Sequence, residues 1–181
     1  MPQRSRGALQ RLHDHRRTPE EELLDDWSIE ARDDLITALD EVHLRWGGPY
    51  AEALRARLNT HRARVEADLQ HYDQLVTTVV ARVPDLVITH GEPHVANVVH
   101  SDGGPVLIDW DLVRWAPRER DLWMLGDVDD VDAEAVDAYR LRWQLTDVAL
   151  AAVAVRGAET SDADLEVAWR GLQAYLPEGS A

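Results

Sequence analysis

The sequence predicts an α+β fold that is mainly helical, with a small β-hairpin set between helical stretches. Three observations carry that expectation. From Pro49 to Val83, apolar residues step by three and four without a break. Between Leu86 and Ile108 that period gives way to short β-branched runs separated by turn residues. From Asp121 onward helical spacing returns. A step of three and four marks an amphipathic helix, whereas short β-branched runs bounded by Gly, Pro, Asn and Asp mark strands.

Composition narrows the classes of function. At 181 residues and 45% hydrophobic content, the chain suits one ordinary globular domain. It has no cysteine, which excludes disulfides, thiolate metal sites and cysteine nucleophiles and fits a reducing compartment. The apolar stretch Val148 to Val155 is too short to cross a bilayer, and residues 1–18 are Arg/His-rich without a signal-peptide core. A cytoplasmic protein with no membrane partner is expected. The formal net charge of -15 argues against nucleic acid as a partner, and reads either as favouring a cationic ligand or as an acidic surface that aids solubility. All nineteen basic residues are arginine.

Taken in order, residues 1–17 read as a frayed or docked polar tail. A helix start follows at Thr18-Pro19-Glu20-Glu21, with a threonine cap, a proline at the first helical position and a glutamate at the third, and the short helix runs to about Asp26. Leu35, Leu39, Val42 and Trp46 predict a helix from near Ile29 to Trp46, ended by Gly47-Gly48-Pro49. The long helix carries Leu54, Leu58, His61, Val65, Leu69, Tyr72, Val76, Val79 and Val83 on one stripe, which makes His61 a packed core histidine. Leu86–Thr89 reads as a strand. Val98–His100 and Val106–Ile108 flank the turn Ser101-Asp102-Gly103-Gly104-Pro105 and read as a hairpin. A Pro117-containing loop leads to a helix near Asp121–Leu125. Helices near Ala133–Trp143, Thr146–Val155 and Asp162–Leu176 complete the chain, the last with Ser161 as its cap.

The chemistry is concentrated in His90-Gly91-Glu92-Pro93-His94-Val95-Ala96-Asn97, followed twelve residues later by Asp109-Trp110-Asp111. Carboxylates and an amide therefore flank a short hairpin that brings them to one edge. Phosphoryl transfer calls for such a set: a carboxylate to orient a substrate hydroxyl and take its proton, and hard oxygen ligands to hold magnesium on phosphates. A zinc or iron cluster of His90, Glu92, His94 and His100 is the weaker reading, because Gly91 and Pro93 make the segment a loop and the helical sequence lacks the strands of a cupin-like barrel. His94 reads as a loop or substrate-side residue. Asp127, Asp129, Asp130, Asp132 and Glu134 read as a solvated loop and helix start, or as a patch for an aminated sugar. The tryptophans at 110, 115, 123 and 143 read as packing residues, with Trp110 or Trp115 able to line a pocket.

His-Gly-Glu-x-x-x-x-Asn followed by Ile108-Asp109-Trp110-Asp111 resembles the His-Gly-Asp-x-x-x-x-Asn and Ile-Asp motifs of aminoglycoside phosphotransferases and choline kinases, and is similar to their spectinomycin-type branch. Ala116-Pro117-x-x-x-Asp121-Leu122-Trp123 fits as well. The resemblance implies the larger, C-terminal lobe of a protein-kinase-like fold, as one domain over 1–181: helices over residues 1–85, catalytic and metal-binding loops over 86–111, and helices again over 112–181. It implies Glu92 as catalytic base, one methylene longer than the family's usual aspartate. It further implies His90 as the residue that orients the catalytic loop, Asn97, Asp109 and Asp111 as ligands of Mg2+, and Asp121 as the acceptor that braces the loop. The implied reaction moves the γ-phosphate of ATP to a hydroxyl of a small cationic acceptor such as an aminocyclitol.

Kinases of this architecture also use a glycine-rich loop and a strand lysine to grip the nucleotide phosphates. This chain has no lysine and no Gly-x-Gly sequence, and its Ala8–His13 looks like the helical segment that follows the interlobe hinge in that family. The expectation is a truncated enzyme whose small lobe is absent and which is weakly active or inactive alone. The alternative is a non-catalytic binding or interaction module descended from such a lobe.

Overall fold

The computed structural model describes residues 3–14, 21–102, 104–126, 129–156 and 162–178. Thr18 and Ser161, read as caps, and Pro19, read as the first helical residue, lie outside these. The chain forms two compact units, residues 1–27 with 74–140 and residues 28–73 with 141–181.

In the first unit, helix α1 (Gln3–His13) occupies much of the segment read as a tail. It is docked: Leu9 packs with Leu107 and Leu125, and Leu12, Val98 and Leu122 gather around them. Two leucines three apart suffice to seat an otherwise polar helix. The helix expected to run to Asp26 is instead a short 3-10 turn, Glu21–Leu23. Leu24 then bridges Trp115 in the parallel sense, and the Asp25 N–H donates to the Trp115 carbonyl at 3.0 Å. A sheet edge thus satisfies backbone groups that a helix would have paired within itself.

That edge belongs to a strand the sequence reading missed. Strand β1 (Val87–Thr89) pairs antiparallel with a partner taken from the expected Pro117 loop, in the register Val87↔Ala116, Ile88↔Trp115 and Thr89↔Arg114. Three residues, Arg114-Trp115-Ala116, are too few to display alternation. The hairpin lies between these strands as expected: β2 (Val98–Ser101) and β3 (Gly104–Leu107) pair with Val98 opposite Leu107, and Ile108 falls just beyond the ladder. With β4 (Arg114–Ala116) the strands are complete among the described residues. Helix α4 (Glu119–Leu122) follows and passes into a 3-10 turn, Trp123–Leu125.

The second unit holds helix α2 (Arg32–Asp40), shorter than the span to Trp46 that the spacing suggested. Leu35 and Leu39 are buried on it, and Val42 is buried in the turn beyond. Helix α3 (Ala51–Ala81) contributes residues to both units and buries Leu54, Leu58, Val65, Leu69, Tyr72, Leu75 and Val79. His61 is not a core residue: it is only partly buried, and its Nε2 lies 2.9 Å from the Pro177 carbonyl oxygen. Val83 lies past the helix end, 84% exposed and at φ 51°. Proline at 84 accounts for the stop, since it disfavours α-helical backbone in the residue before it. The helices expected at Ala133–Trp143 and Thr146–Val155 are one helix, α5 (Ala133–Arg156), because nothing between them breaks the backbone hydrogen bonding. Helix α6 (Asp162–Tyr175) closes the described chain. Within this unit Arg57 donates to the Leu176 carbonyl at 2.6 Å, and Trp169 stacks on Tyr50 with ring centroids 5.0 Å apart. Among the described residues no helix is long and apolar enough to cross a membrane.

Candidate functional site

The site lies in the first unit, where β1 delivers His90 and Gly91 into a loop that ends at the 3-10 turn Val95–Asn97 and the start of β2. A fully buried carboxylate, Asp121 of α4, fixes the start of this loop. Its Oδ1 accepts the Gly91 N–H at 2.7 Å, and its Oδ2 accepts the His90 N–H at 2.9 Å. Hydrogen bonds from N–H groups to an ionised acceptor are about twice as strong as neutral ones, and a buried carboxylate requires them. The bracing implied for Asp121 is therefore present in the geometry.

His90 is itself fully buried, and its ring joins the two edges of the site. Nε2 lies 2.8 Å from the Ile108 carbonyl oxygen, and Nδ1 accepts the Glu92 N–H at 3.3 Å. Only the neutral tautomer with its proton on Nε2 satisfies both bonds. His90 thus ties the backbone of Glu92 to the residue preceding Asp109. Trp110 leans on the same ring, 4.7 Å between centroids, and donates its indole N–H to the Leu107 carbonyl at 3.0 Å.

Gly91 is required twice over. Its φ is 96°, a conformation that glycine alone adopts without strain, and a Cβ there would stand 2.7 Å from the Arg120 guanidinium. Arg120 is buried in turn, donating to the Thr89 hydroxyl at 2.9 Å and to the Leu112 carbonyl at 2.8 Å. The sequence reading missed Arg120. Its only sequence signal was its place beside Asp121.

Glu92 is partly buried, with a carboxylate oxygen 3.8 Å from His94 Nε2, so His94 lies beside Glu92 on the loop. Asn97 is buried and spends its amide nitrogen on the Glu92 carbonyl at 3.1 Å, which leaves its oxygen as the group suited to a cation. The Ile108 N–H donates to the Asn97 carbonyl at 3.0 Å, so Asn97 adjoins the segment bearing Asp109 and Asp111. Both of those aspartates are exposed. Asp109 adopts the left-handed conformation, φ 65°, which aspartate tolerates better than most residues.

These donors are all oxygens. Among the described residues no group of three or more His, Asp or Glu side chains converges as a metal cage. One or two carboxylates plus an amide suit Mg2+, which keeps several waters and shares its coordination with phosphates, better than they suit zinc.

The acidic run following α4 is largely committed. Arg82 donates to Asp132 at 2.8 Å and also to Glu134, while Arg118 contacts Asp130. Burial acts to raise the Asp132 pKa, but the Arg82 guanidinium and the N–H groups of Ala135 and Glu134 outweigh it and hold the carboxyl below the usual aspartate range. Asp127 lies outside the described residues. Trp115 is buried in the sheet, as a packing residue should be.

Three comparisons place this geometry among known proteins. The family described as "Phosphotransferase enzyme family" matches residues 6–155. Protein StrN of Streptomyces griseus is 35% identical over 143 residues, which cover 73% of this chain and 43% of StrN. Two crystal structures of spectinomycin phosphotransferase superpose on it. The complex with ADP and spectinomycin gives a TM-score of 0.73 at 17% identity, over 92% of this chain and 58% of that one. The AMP-bound complex gives 0.74 at 18% identity, over 93% and 60%. This chain therefore spans about two fifths to three fifths of the length of these proteins, and at such identities the structural likeness establishes the fold.

Proposed function

This chain belongs to the phosphotransferase enzyme family, and from that membership we propose that it carries the base and the metal-holding side of a small-molecule kinase that moves the γ-phosphate of ATP to a hydroxyl of a cationic acceptor. The observation that carries the proposal is the closed hydrogen-bond set Asp121, His90, Gly91, Glu92 and Asn97, which holds the base loop beside the Asp109 segment. In the proposed step the acceptor oxygen forms a bond to the γ-phosphorus, the bond to the ADP oxygen breaks, and the hydroxyl proton passes to Glu92. Asn97, Asp109 and Asp111 would hold Mg2+, which neutralises charge on the phosphates. An aminocyclitol or aminoglycoside is the acceptor class that best suits the family and the net charge of -15. With no lysine and no Gly-x-Gly sequence in these residues, the lysine-bearing grip on the nucleotide would come from polypeptide outside them.

The test follows from that division. The 181 residues alone should show negligible Mg-ATP-dependent phosphorylation of spectinomycin or related aminocyclitols. Joined to a lysine-bearing small lobe they should turn over, and Glu92→Gln should then lower the maximal rate by about a hundred- to ten-thousand-fold while Mg-ATP binding changes little. Equal rates for wild type and Glu92→Gln would remove Glu92 as the base. Absence of any turnover in the joined polypeptide would instead favour a non-catalytic binding module.

A further inference from the structure

We propose that His13, at the end of α1, is a positioning residue for the Glu92 loop and acts through Asp121. Its bearing on phosphoryl transfer rests on the function proposed above, but its bearing on the loop does not. The His13 ring is buried, and its Nε2 stands 2.9 Å from Asp121 Oδ2, the same oxygen that accepts the His90 N–H. A carboxylate oxygen only accepts, so His13 Nε2 carries the proton in this bond.

Three donors therefore converge on one buried carboxylate: the N–H groups of His90 and Gly91, and His13. Two of them are main chain and belong to the loop being held. His13 is the side-chain donor, reaching Asp121 from 108 positions away in sequence. It fixes the carboxylate from the side opposite in function: the loop hangs on Asp121, and Asp121 hangs on α1. Helix α1 is anchored independently, through Leu9 in a cluster with Leu107 of β3 and Leu125, against which Leu12 and Val98 of β2 also pack. One helix thus braces both the hairpin that leads to Asp109 and the acceptor that holds the loop of Glu92. Without His13, one lone pair of a buried anion loses its donor, and the two loop amides lose an aligned acceptor.

The test uses the 181-residue chain and does not require activity. Amide hydrogen exchange is measured residue by residue for wild type, His13→Leu and His13→Gln. Glutamine carries an amide N–H that can reach a carboxylate, whereas leucine fills space without donating. His13→Leu should speed exchange of the His90 and Gly91 amides by about tenfold or more, the scale of one hydrogen bond to a charged group, while amides within α6 keep their rates. His13→Gln should restore most of the protection. If His13→Leu leaves the His90 and Gly91 amides unchanged, or accelerates them no more than those of α6, the positioning role is overturned. Should the leucine variant fail to fold, His13→Asn against His13→Gln serves instead. The shorter asparagine should lose the protection that glutamine keeps, and equal protection in both would overturn the proposal. Loss of protection in His13→Leu alongside unchanged rates for Glu92→Gln would refute the function proposed for Glu92 and leave this inference standing.

Discussion

The loop of Glu92 and the segment of Asp109 and Asp111 flank the same hairpin, yet different forces place them. In the first, side chains hold the backbone: Asp121 takes two loop N–H groups, His90 takes a third, and Asn97 spans back to the Glu92 carbonyl. In the second, the backbone holds the side chains. Ile108 is paired to Asn97 and His90 through its N–H and carbonyl, Asp109 is set by its left-handed φ of 65°, and the carboxylates themselves are exposed. For the base role proposed for Glu92, the buried network would fix the backbone from which the carboxylate is aimed before substrate arrives. For the Mg2+ role proposed for Asp109 and Asp111, exposed carboxylates on a defined backbone would suit an ion shared with phosphates and water.

This contrast is open to measurement through stability. The largest effect is expected for Asp121→Ala, which strips the acceptor from three buried donors. It should cost about 3–5 kcal/mol in urea denaturation. A loss below about 1 kcal/mol would mean that the loop is not held by its side chains.

Gly91→Ala comes next. It combines a φ of 96° with a Cβ 2.7 Å from a guanidinium that is itself buried and hydrogen-bonded. A destabilisation of about 2–3 kcal/mol is expected in the same assay. Adding Arg120→Ala should relieve the clash but not the strain of the positive φ, so Gly91→Ala should cost less in the Arg120→Ala background than in the wild type, without falling to zero.

The smallest effect on stability belongs to Asp109→Asn. Asparagine accepts the left-handed conformation and the side chain is exposed, so the unfolding free energy should move by no more than about 0.5 kcal/mol. In the polypeptide joined to a small lobe, turnover should nonetheless fall and recover partially at raised magnesium. A large stability loss in Asp109→Asn would erase the distinction between the two regions.

How much of this was legible beforehand varied with the range of the interaction. The hairpin was readable because β-branched residues flank the turn-forming sequence Ser101-Asp102-Gly103-Gly104-Pro105, and the long helix because its stripe repeats over thirty-one residues. Strand β4 was hidden, since Arg114-Trp115-Ala116 has a partner but no pattern. The break assumed within α5 was absent, since no glycine or proline between Trp143 and Thr146 interrupts the backbone hydrogen bonding. His61 followed the stripe of α3 but met the Pro177 carbonyl at the protein surface instead of the core. Glu92, Asn97 and Asp109 were legible as residue types at a spacing; His13 and Arg120 were not, because neither stands in a motif.

The sequence by itself determined the element types along most of the chain, the order of the His-Gly-Glu and Asp-Trp-Asp segments, and the family to which they point. These are properties of neighbours, expressed through periodicity, turn residues and spacing. Tertiary structure alone decided that Asp121 would gather His13, His90 and Gly91, that Arg120 would fill the space beside Gly91, and that Leu9 and Leu12 would dock helix α1 behind the site. The hydrogen bonds to Asp121 join residues 30 to 108 positions apart. They take their strength from burial, which removes the water that would otherwise pair each donor and acceptor, and no local pattern in a chain records which distant groups will be buried together.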